Sequence, residues 1–154
     1  GVLEGWDRED VPAVVHRYVR RQLSSLDSGL CPYCDGRTDT VVCRPGDDAA
    51  PDWFTEADAD RDAVVVYECR RCDHWMHAMV EFAALVRSAV VGFHHEHGID
   101  LRETPAWELD WNDEAVAAVT AADPLRVAVP ITLDGETRRF VFDRSMDLVE
   151  TDRA

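Results

Sequence analysis

Two short cysteine motifs carry the clearest chemistry in this sequence. They read C-P-Y-C at residues 31–34 and C-R-R-C at residues 69–72. Two residues between cysteines allow one tight turn to direct both sulfurs at a common point, and two such turns complete a tetrahedron around Zn²⁺. We therefore predict one zinc site with four ligands, Cys31, Cys34, Cys69 and Cys72.

A site of four thiolates is coordinatively closed. Because the protein fills every position, no place is left for an activated water, and the predicted zinc ion is structural. The sequence also lacks G-x-S-x-G, P-loop, H-E-x-x-H and glycine-rich dinucleotide motifs. We predict that the protein is not an enzyme. Two alternatives to zinc are that the cysteines are buried thiols or that one pair is redox-active.

The remaining cysteine and the histidines offer further candidates. Cys43 follows two valines and is interpreted as a small buried hydrophobe. His94 and His97 are three residues apart in a predicted helix, so they can share a face as a second metal or ligand site. The alternative is that histidines gather there because the helix dipole favours cations. His74 is an alternative fourth zinc ligand.

The first element expected to position these residues is an amphipathic helix over residues 10–28. We predict that Asp10 caps it and that Gly29 ends it. Its polar side carries Arg17, Arg20 and Arg21, interpreted as a solvated face. Residues 1–28 are predicted to form a linker or dimerisation helix, which implies a homodimer.

Residues 29–80 are predicted to form a zinc-ribbon subdomain. Strands over 38–43 and 63–68 adjoin the cysteine pairs, and 74–80 is the return strand. Between the first two strands, residues 45–62 form an acidic surface loop.

Residues 81–154 are predicted to form a helix and an antiparallel sheet, packed as one unit with the ribbon. The helix covers 81–97, and a short alanine-rich helix capped by Asn112 or Asp113 ends near 123–124. A hairpin turns at residues 134–135, places Val129 opposite Phe140 and Val127 opposite Phe142, and is extended by a strand over 146–150. Pro130 requires an edge or a bulge. The fold class is α+β, with a zinc-ribbon-like knuckle pair, two main helices and a C-terminal antiparallel hairpin or meander.

Composition narrows the choice of partners. The 154 residues include 31 acidic residues against 16 basic ones, all arginine, giving a formal charge of −15. An acidic, lysine-free surface is typical of halophiles, because molar salt screens its self-repulsion. The same charge repels phosphate backbones.

The sequence has no apolar run long enough to span a membrane, and a cytoplasmic location is expected. The five cysteines are an odd number, which disfavours a disulfide framework.

Three further segments suggest a family. They read F-H-H-E-H-G-I-D at 93–100, P-A-W-E-L at 105–109 and D-P-L-R-V at 123–127, behind the C-P-Y-C knuckle. Over roughly residues 29–150 the chain resembles the C-terminal domain of haloarchaeal ArsR-like winged-helix transcriptional regulators. The resemblance implies a zinc-ribbon-containing C-terminal domain that reaches DNA only through an upstream winged helix. Our first hypothesis for its function is a regulatory or effector-sensing domain, with a small molecule as the effector.

Residues 1–28 hold one helix instead of that winged helix, so DNA binding by this chain itself is not expected. The opening Gly1-Val2 is what a fragment of a longer protein would show. The alternative function is a stand-alone zinc-ribbon module for protein–protein interaction.

Overall fold

The computed structural model describes residues 1, 3–57, 60–113 and 117–153. Within them the fold is α+β, as predicted. No helix in these residues is long and apolar enough to cross a lipid bilayer. The helices are α1 (Val11–Asp27), α2 (Val80–Ala84) and α3 (Ser88–Glu96), with 3₁₀ turns at Ala106–Glu108 and Asp110–Asp113. The strands are β1 (Thr38–Cys43), β2 (Val64–Cys69), β3 (Trp75–Met79), β4 (Ala118–Ala122), β5 (Leu125–Leu133), β6 (Glu136–Phe142) and β7 (Leu148–Arg153).

Helix α1 has a hydrogen-bonded cap at its C-terminal end, but no side chain among the described residues caps its N-terminal end. Asp10 precedes the helix without any side-chain capping hydrogen bond, so the predicted cap is wrong. Gly29, with φ of +80°, ends it as predicted. The N–H groups of Gly29 and Leu30 donate to the carbonyls of Leu26 and Ser25, both at 3.0 Å. This pattern is a Schellman motif, which satisfies the last carbonyls of the helix.

The first sheet is antiparallel and has β2 at its centre. One face of β2, with Val65 and Tyr67, enters the main core. The other face, with Val64 and Val66, is covered by Phe54 from the acidic loop. Thr38 is paired with Cys69, so the register brings the start of β1 to the second cysteine pair.

Helices α2 and α3 occupy the region predicted as one helix over 81–97. The prediction of a continuous helix is wrong, because residues 85–87 form a turn with N–H groups bonded three residues back. Arg87 is extended there, with ψ of 133°, and its guanidinium lies 2.7 Å from Asp27 of α1. The apolar spacing continues through the break, so the sequence pattern alone does not reveal it. Gly98, with φ of +75°, follows α3 as predicted.

The second sheet has the order β4-β5-β6-β7 and is antiparallel. The predicted hairpin is confirmed, with Val129 opposite Phe140 and Val127 opposite Phe142. Asp134 and Gly135 both have positive φ, 50° and 80°, as a type I′ turn requires. The strand expected over 146–150 forms slightly later, as β7.

The predicted alanine-rich helix is wrong over residues 118–122, which form β4. Its predicted start, residues 114–116, lies outside the described residues. Alanine has the highest helix propensity of the amino acids, but propensity is a small energy per residue, and hydrogen bonding to β5 prevails over it here. The described pairing of β4 reaches only Ala128, so Pro130 lies beyond it and pairs with Arg139 on the other side. Pro130 therefore interrupts no ladder on the β4 side in the described residues.

A single buried cluster joins α1, both sheets and α3. The N–H of Val42 in β1 also donates to the carbonyl of Arg144, after β6, at 2.7 Å. The ribbon sheet therefore shares its inner face with the C-terminal half of the chain. Large members of the cluster are Leu23, Leu26, Tyr67, Phe93, Phe140 and Phe142.

Replacing Phe140 with alanine tests this shared core. Phe140 is 0% exposed and its ring centroid lies 5.9 Å from that of Phe93. We expect Phe140→Ala to lower the free energy of unfolding by about 3–5 kcal/mol, because it removes buried surface and leaves a cavity. The measurement is urea unfolding of zinc-loaded protein. The control, Val149→Ala on β7, alters a side chain that is 45% exposed, and should cost less than about 1 kcal/mol. Equal losses in the two variants would contradict the assignment.

Candidate metal centre

Each cysteine pair lies on a tight hairpin of the same local shape. In both, the N–H of the first cysteine, Cys31 or Cys69, donates at 2.8 Å to the carbonyl five residues later. The residue after each second cysteine, Asp35 or Asp73, is left-handed, with φ of 56° and 54°. Aspartate enters this region more readily than most residues, so it permits the sharp reversal.

The four predicted cysteines converge on one point. Their sulfur atoms all lie within 4.8 Å of one another. The Cys31 and Cys72 sulfurs are 3.7 Å apart, and those of Cys34 and Cys69 are 3.5 Å apart. Zn–S bonds of about 2.3 Å imply sulfur–sulfur edges of about 3.8 Å in a regular tetrahedron, whereas a disulfide bond is about 2.05 Å. The spacing therefore fits one tetrahedral metal ion and excludes disulfide pairing in this arrangement.

Gly36 allows the two hairpins to approach this closely. A Cβ atom at this position would lie 2.7 Å from the Cβ of Arg71 and 3.1 and 3.2 Å from the sulfurs of Cys34 and Cys69. No side chain fits there without displacing the ligands. Sequence reasoning did not single out Gly36, although its place two residues after a motif cysteine was a usable signal.

Polar contacts hold the two knuckles in register. The N–H of Arg70 donates to the carbonyl of Arg37 at 3.0 Å, and the guanidinium of Arg71 donates to the carbonyl of Cys34 at 3.0 Å. The Arg70 guanidinium also binds Asp39 through two hydrogen bonds, of 2.5 and 2.6 Å. The second knuckle is thereby fastened both to the first knuckle and to β1.

His74 and Cys43 have other surroundings. The ring of His74 packs on that of Tyr33 with centroids 4.2 Å apart, and the four-residue sulfur cluster does not include it. Cys43 is buried beside Phe54 in the smaller core, as expected for a small hydrophobe. Burial there raises the pKa of Cys43 to about 11. Neither residue belongs to the group that can hold the ion.

The electrostatics of the knuckles favour a bound cation. The backbone N–H groups of Arg71 and Cys72 donate to the Cys69 sulfur and lower the pKa of this thiol to about 7. For Cys72 the N–H of His74 also favours the thiolate, but Cys34, burial and the other cysteines outweigh it and raise the pKa to about 12. Four sulfurs this close cannot all ionise without a compensating charge, and a divalent ion would supply it.

His94 has no ring nitrogen free for a metal in this structure. It is 0% exposed; its Nδ1 lies 2.8 Å from the carbonyl of Val90, and its Nε2 accepts a 2.8 Å hydrogen bond from the Trp111 indole. The ring of His97 faces carboxylates, with Nδ1 3.0 Å from Asp134 and Nε2 3.6 Å from Glu136. The two histidines are therefore accounted for by core packing and by surface pairing, not by a shared ligand.

His16 in α1 is a second buried histidine, which the sequence did not single out. Its Nε2 accepts a 3.1 Å hydrogen bond from the N–H of Ala106. Burial, followed by the charges of Arg20 and Arg17, lowers its pKa. Its ring thus anchors α1 to the segment before the second sheet.

The fold and site together define the class. This is an α+β protein with a ribbon of two cysteine knuckles, and its four sulfurs are arranged as a closed site for a metal such as zinc. The chain belongs to the family described as a domain of unknown function (DUF7351), whose profile matches residues 1–148. That description contains no activity and no link to ArsR-like regulators or haloarchaea. Searches of curated proteins and of solved structures gave no significant match.

Removing one ligand tests the metal assignment. We expect about one zinc per chain in reduced protein, and zinc binding more than about 100-fold weaker in Cys69→Ala, since even changes that only reorient a ligand cost roughly 10- to 100-fold. Metal analysis and a competing chelator measure both quantities. Cys43→Ala is the matched control and should keep its zinc. Loss of zinc from both variants alike, or none in the parent protein, would contradict the assignment.

The buried histidines predict a pH dependence of stability. Burial lowers the pKa of His94 below its ordinary value of 6.5, with the Val90 carbonyl opposing it and Arg20 and His97 adding to it. Below that pH the unfolded chain binds a proton that the folded chain excludes, so stability falls as pH drops from about 6.5 to 5.5. In zinc-saturated urea titrations, His94→Gln should reduce this slope by up to about 1.4 kcal/mol per pH unit. An unchanged slope would contradict the role of His94.

Proposed function

We propose that the chain is the regulatory, effector-sensing domain of a transcriptional regulator, of the salt-adapted ArsR-like type suggested by its motifs. In this proposal Zn²⁺ held by Cys31, Cys34, Cys69 and Cys72 is structural, and the chain performs no catalysis. DNA is contacted by a separate winged-helix module.

The closed sulfur cluster supports a structural metal. Four protein ligands leave no vacant position at which a substrate or water could be activated. The two buried histidines support the same view, because His94 and His16 use their ring nitrogens for hydrogen bonds to Trp111, Val90 and Ala106 inside the fold. Neither histidine lines any of the cavities described in residues 1, 3–57, 60–113 and 117–153.

The charge supports a separate DNA-binding module. A chain with a formal charge of −15 repels the phosphate backbone at the distances where association begins. Its basic groups are mostly engaged with carboxylates, as in the pairs Arg70–Asp39, Arg139–Asp152 and Arg102–Asp100. These pairs offset much of the positive charge locally.

The observation that carries the sensing role is an open cavity of about 360 Å³ beside α1, away from the cysteines. A volume of this size suits a small molecule. A domain whose metal is structural and whose cavity lies elsewhere is equipped to bind an effector without transforming it.

The proposal includes a homodimer of this chain, formed through α1. The buried side of α1, with Val14, Leu23 and Leu26, is already used by the core of its own chain. A second copy would therefore have to contact the outer side of this helix, where Val15 is exposed.

The experiment compares two proteins on the same promoter DNA by fluorescence anisotropy. The product of the complete reading frame should bind with a strong salt dependence, and the present chain, loaded with zinc, should leave the DNA free. Deleting the gene should change the transcripts from the bound promoter.

A tight, salt-resistant complex between the chain alone and DNA would overturn the assignment of DNA binding to a separate winged-helix module. If deletion leaves transcription unchanged and the chain instead co-purifies with one stoichiometric protein, the alternative of a zinc-ribbon interaction module replaces the proposal.

A further inference from the structure

The cavity beside α1 is basic in a protein that is otherwise acidic. Its walls come from helix α1, from the turn that follows α2, from α3 and from the loop that follows α3. The side chains that matter here are Arg17, Arg20, Arg21, Arg102, Val86 and Val91. Four of the chain's 16 basic residues thus line one cavity, and no acidic residue lines it. Three of the arginines share a helix face by their spacing.

Two of these arginines are neutralised locally and two are not. Arg102 is held by Asp100, with contacts of 2.7 and 3.1 Å, and Arg17 lies 3.3 Å from Glu103. Within residues 1, 3–57, 60–113 and 117–153, neither Arg20 nor Arg21 has a carboxylate within 4.0 Å. The cavity therefore retains positive charge.

Arg20 is the more unusual of the two unpaired cations. Its Nη2 donates to the carbonyl of Leu85 at 3.3 Å, while its Nε is buried without a hydrogen-bond partner. Burial lowers the pKa of Arg20, and Asp100 opposes this from a distance. A desolvated guanidinium with an unused donor is stabilised by an anion that reaches it. Arg21 is exposed, with its guanidinium 5.5 Å from the centre of the Tyr18 ring.

The same cavity has apolar walls. Val86 and Val91 lie opposite the α1 arginines, and an adjoining cavity of about 230 Å³ shares Arg17 and Arg21 and is lined by Trp6 and Tyr18. Trp6 is 49% exposed. An inorganic ion would leave these apolar surfaces in water, whereas an anion with an apolar portion would cover them.

A cavity elsewhere in the fold lacks this combination. The cavity of about 540 Å³ near β4 contains Arg44, Arg61 and the carboxylate of Asp47, and both arginines have carboxylate partners, Arg44 with Asp47 and Arg61 with Glu81. Its arginines are therefore neutralised inside the fold. Among the cavities described, unpaired arginines line the α1 cavity and the adjoining cavity that shares Arg21 with it.

We propose that the α1 cavity, together with the cavity that adjoins it at Arg17 and Arg21, binds a small organic anion, whose carboxylate or phosphate pairs with Arg20 and Arg21 and whose apolar portion lies against Val86, Val91 and Trp6. Guanidinium groups bind planar or tetrahedral oxyanions through paired hydrogen bonds, which gives such a site its specificity. The inference rests on the proposed sensing function and deepens it, because it assigns the chemical class of the effector.

The test measures binding to the zinc-loaded chain by calorimetry and by the NMR signal of the Trp6 indole. The probes are phenyl phosphate, phenylacetate and inorganic phosphate, with phenethylammonium as the cation of similar size. We expect an aromatic anion to bind saturably and to shift the Trp6 signal, inorganic phosphate to bind more weakly, and the cation not to bind. Added salt should weaken binding.

The variants are Arg20→Gln, Arg21→Gln and, as the matched control, Arg153→Gln on β7, outside the cavity. Each cavity variant should weaken binding by about tenfold or more, as expected for losing a hydrogen bond between charged groups, and the control should not. Because Arg21 is exposed, Arg21→Gln remains informative if Arg20→Gln fails to fold.

The proposal is overturned if none of the three anions binds saturably, if phenethylammonium binds as well as they do, or if Arg153→Gln weakens binding as much as Arg21→Gln. These outcomes are separate from promoter binding by the complete protein. Anion binding without any promoter binding would remove the regulatory function and leave the site, and the reverse result would remove only the site.

Discussion

Four sulfur atoms brought to within 4.8 Å of one another are held by no covalent bond and repel each other when ionised. Only a cation bound by all four thiolates turns this repulsion into a net attraction. Structural zinc in small domains contributes on the order of 10 kcal/mol to folding. The register of β1 against β2, the close approach at Gly36 and the paired hairpins all place the sulfurs at this spacing. In the described residues, the cluster around Phe54 that belongs to the ribbon itself is small, so a metal ion at this centre would contribute much of its order.

Apolar packing secures the other side of the ribbon. Tyr67 and Val65 of β2 enter the same buried cluster as Phe140 and Phe142 of the C-terminal sheet, and the pair of Asp27 with Arg87 links α1 to the break between α2 and α3. Burial raises the pKa of Asp27, with the Arg87 charge opposing it, as for a carboxylate held between helices. A metal ion bound by the four cysteines would therefore hold one edge of a sheet whose inner face packs in the core.

The features that sequence predicted well are those set by a few neighbouring residues. The C-x-x-C spacing located the knuckles, and Asp134-Gly135 with its flanking alternation gave the hairpin register residue by residue. Features decided by distant contacts were missed. Ala118–Ala122 is a strand paired with β5, and α2 and α3 are separated by a turn at which Arg87 pairs with Asp27 of α1. His94 is buried and bonded to Trp111, which comes from another segment. The α1 arginines looked like a solvated face because Val86, Val91 and Arg102, which close the cavity, come from elsewhere in the chain.

The connection between α1 and the first knuckle is short and hydrogen-bonded. Residues 28–30 alone separate the end of the helix from Cys31. The N–H of Leu30 donates to the carbonyl of Ser25, and the carbonyl of Gly29 accepts a hydrogen bond from the N–H of Thr38, both at 3.0 Å. The helix that carries the cavity arginines and the knuckle that carries two of the four sulfurs are therefore joined without an intervening loop. If a ligand in the cavity changed the affinity for the ion, the ion would change the affinity for that ligand by the same factor.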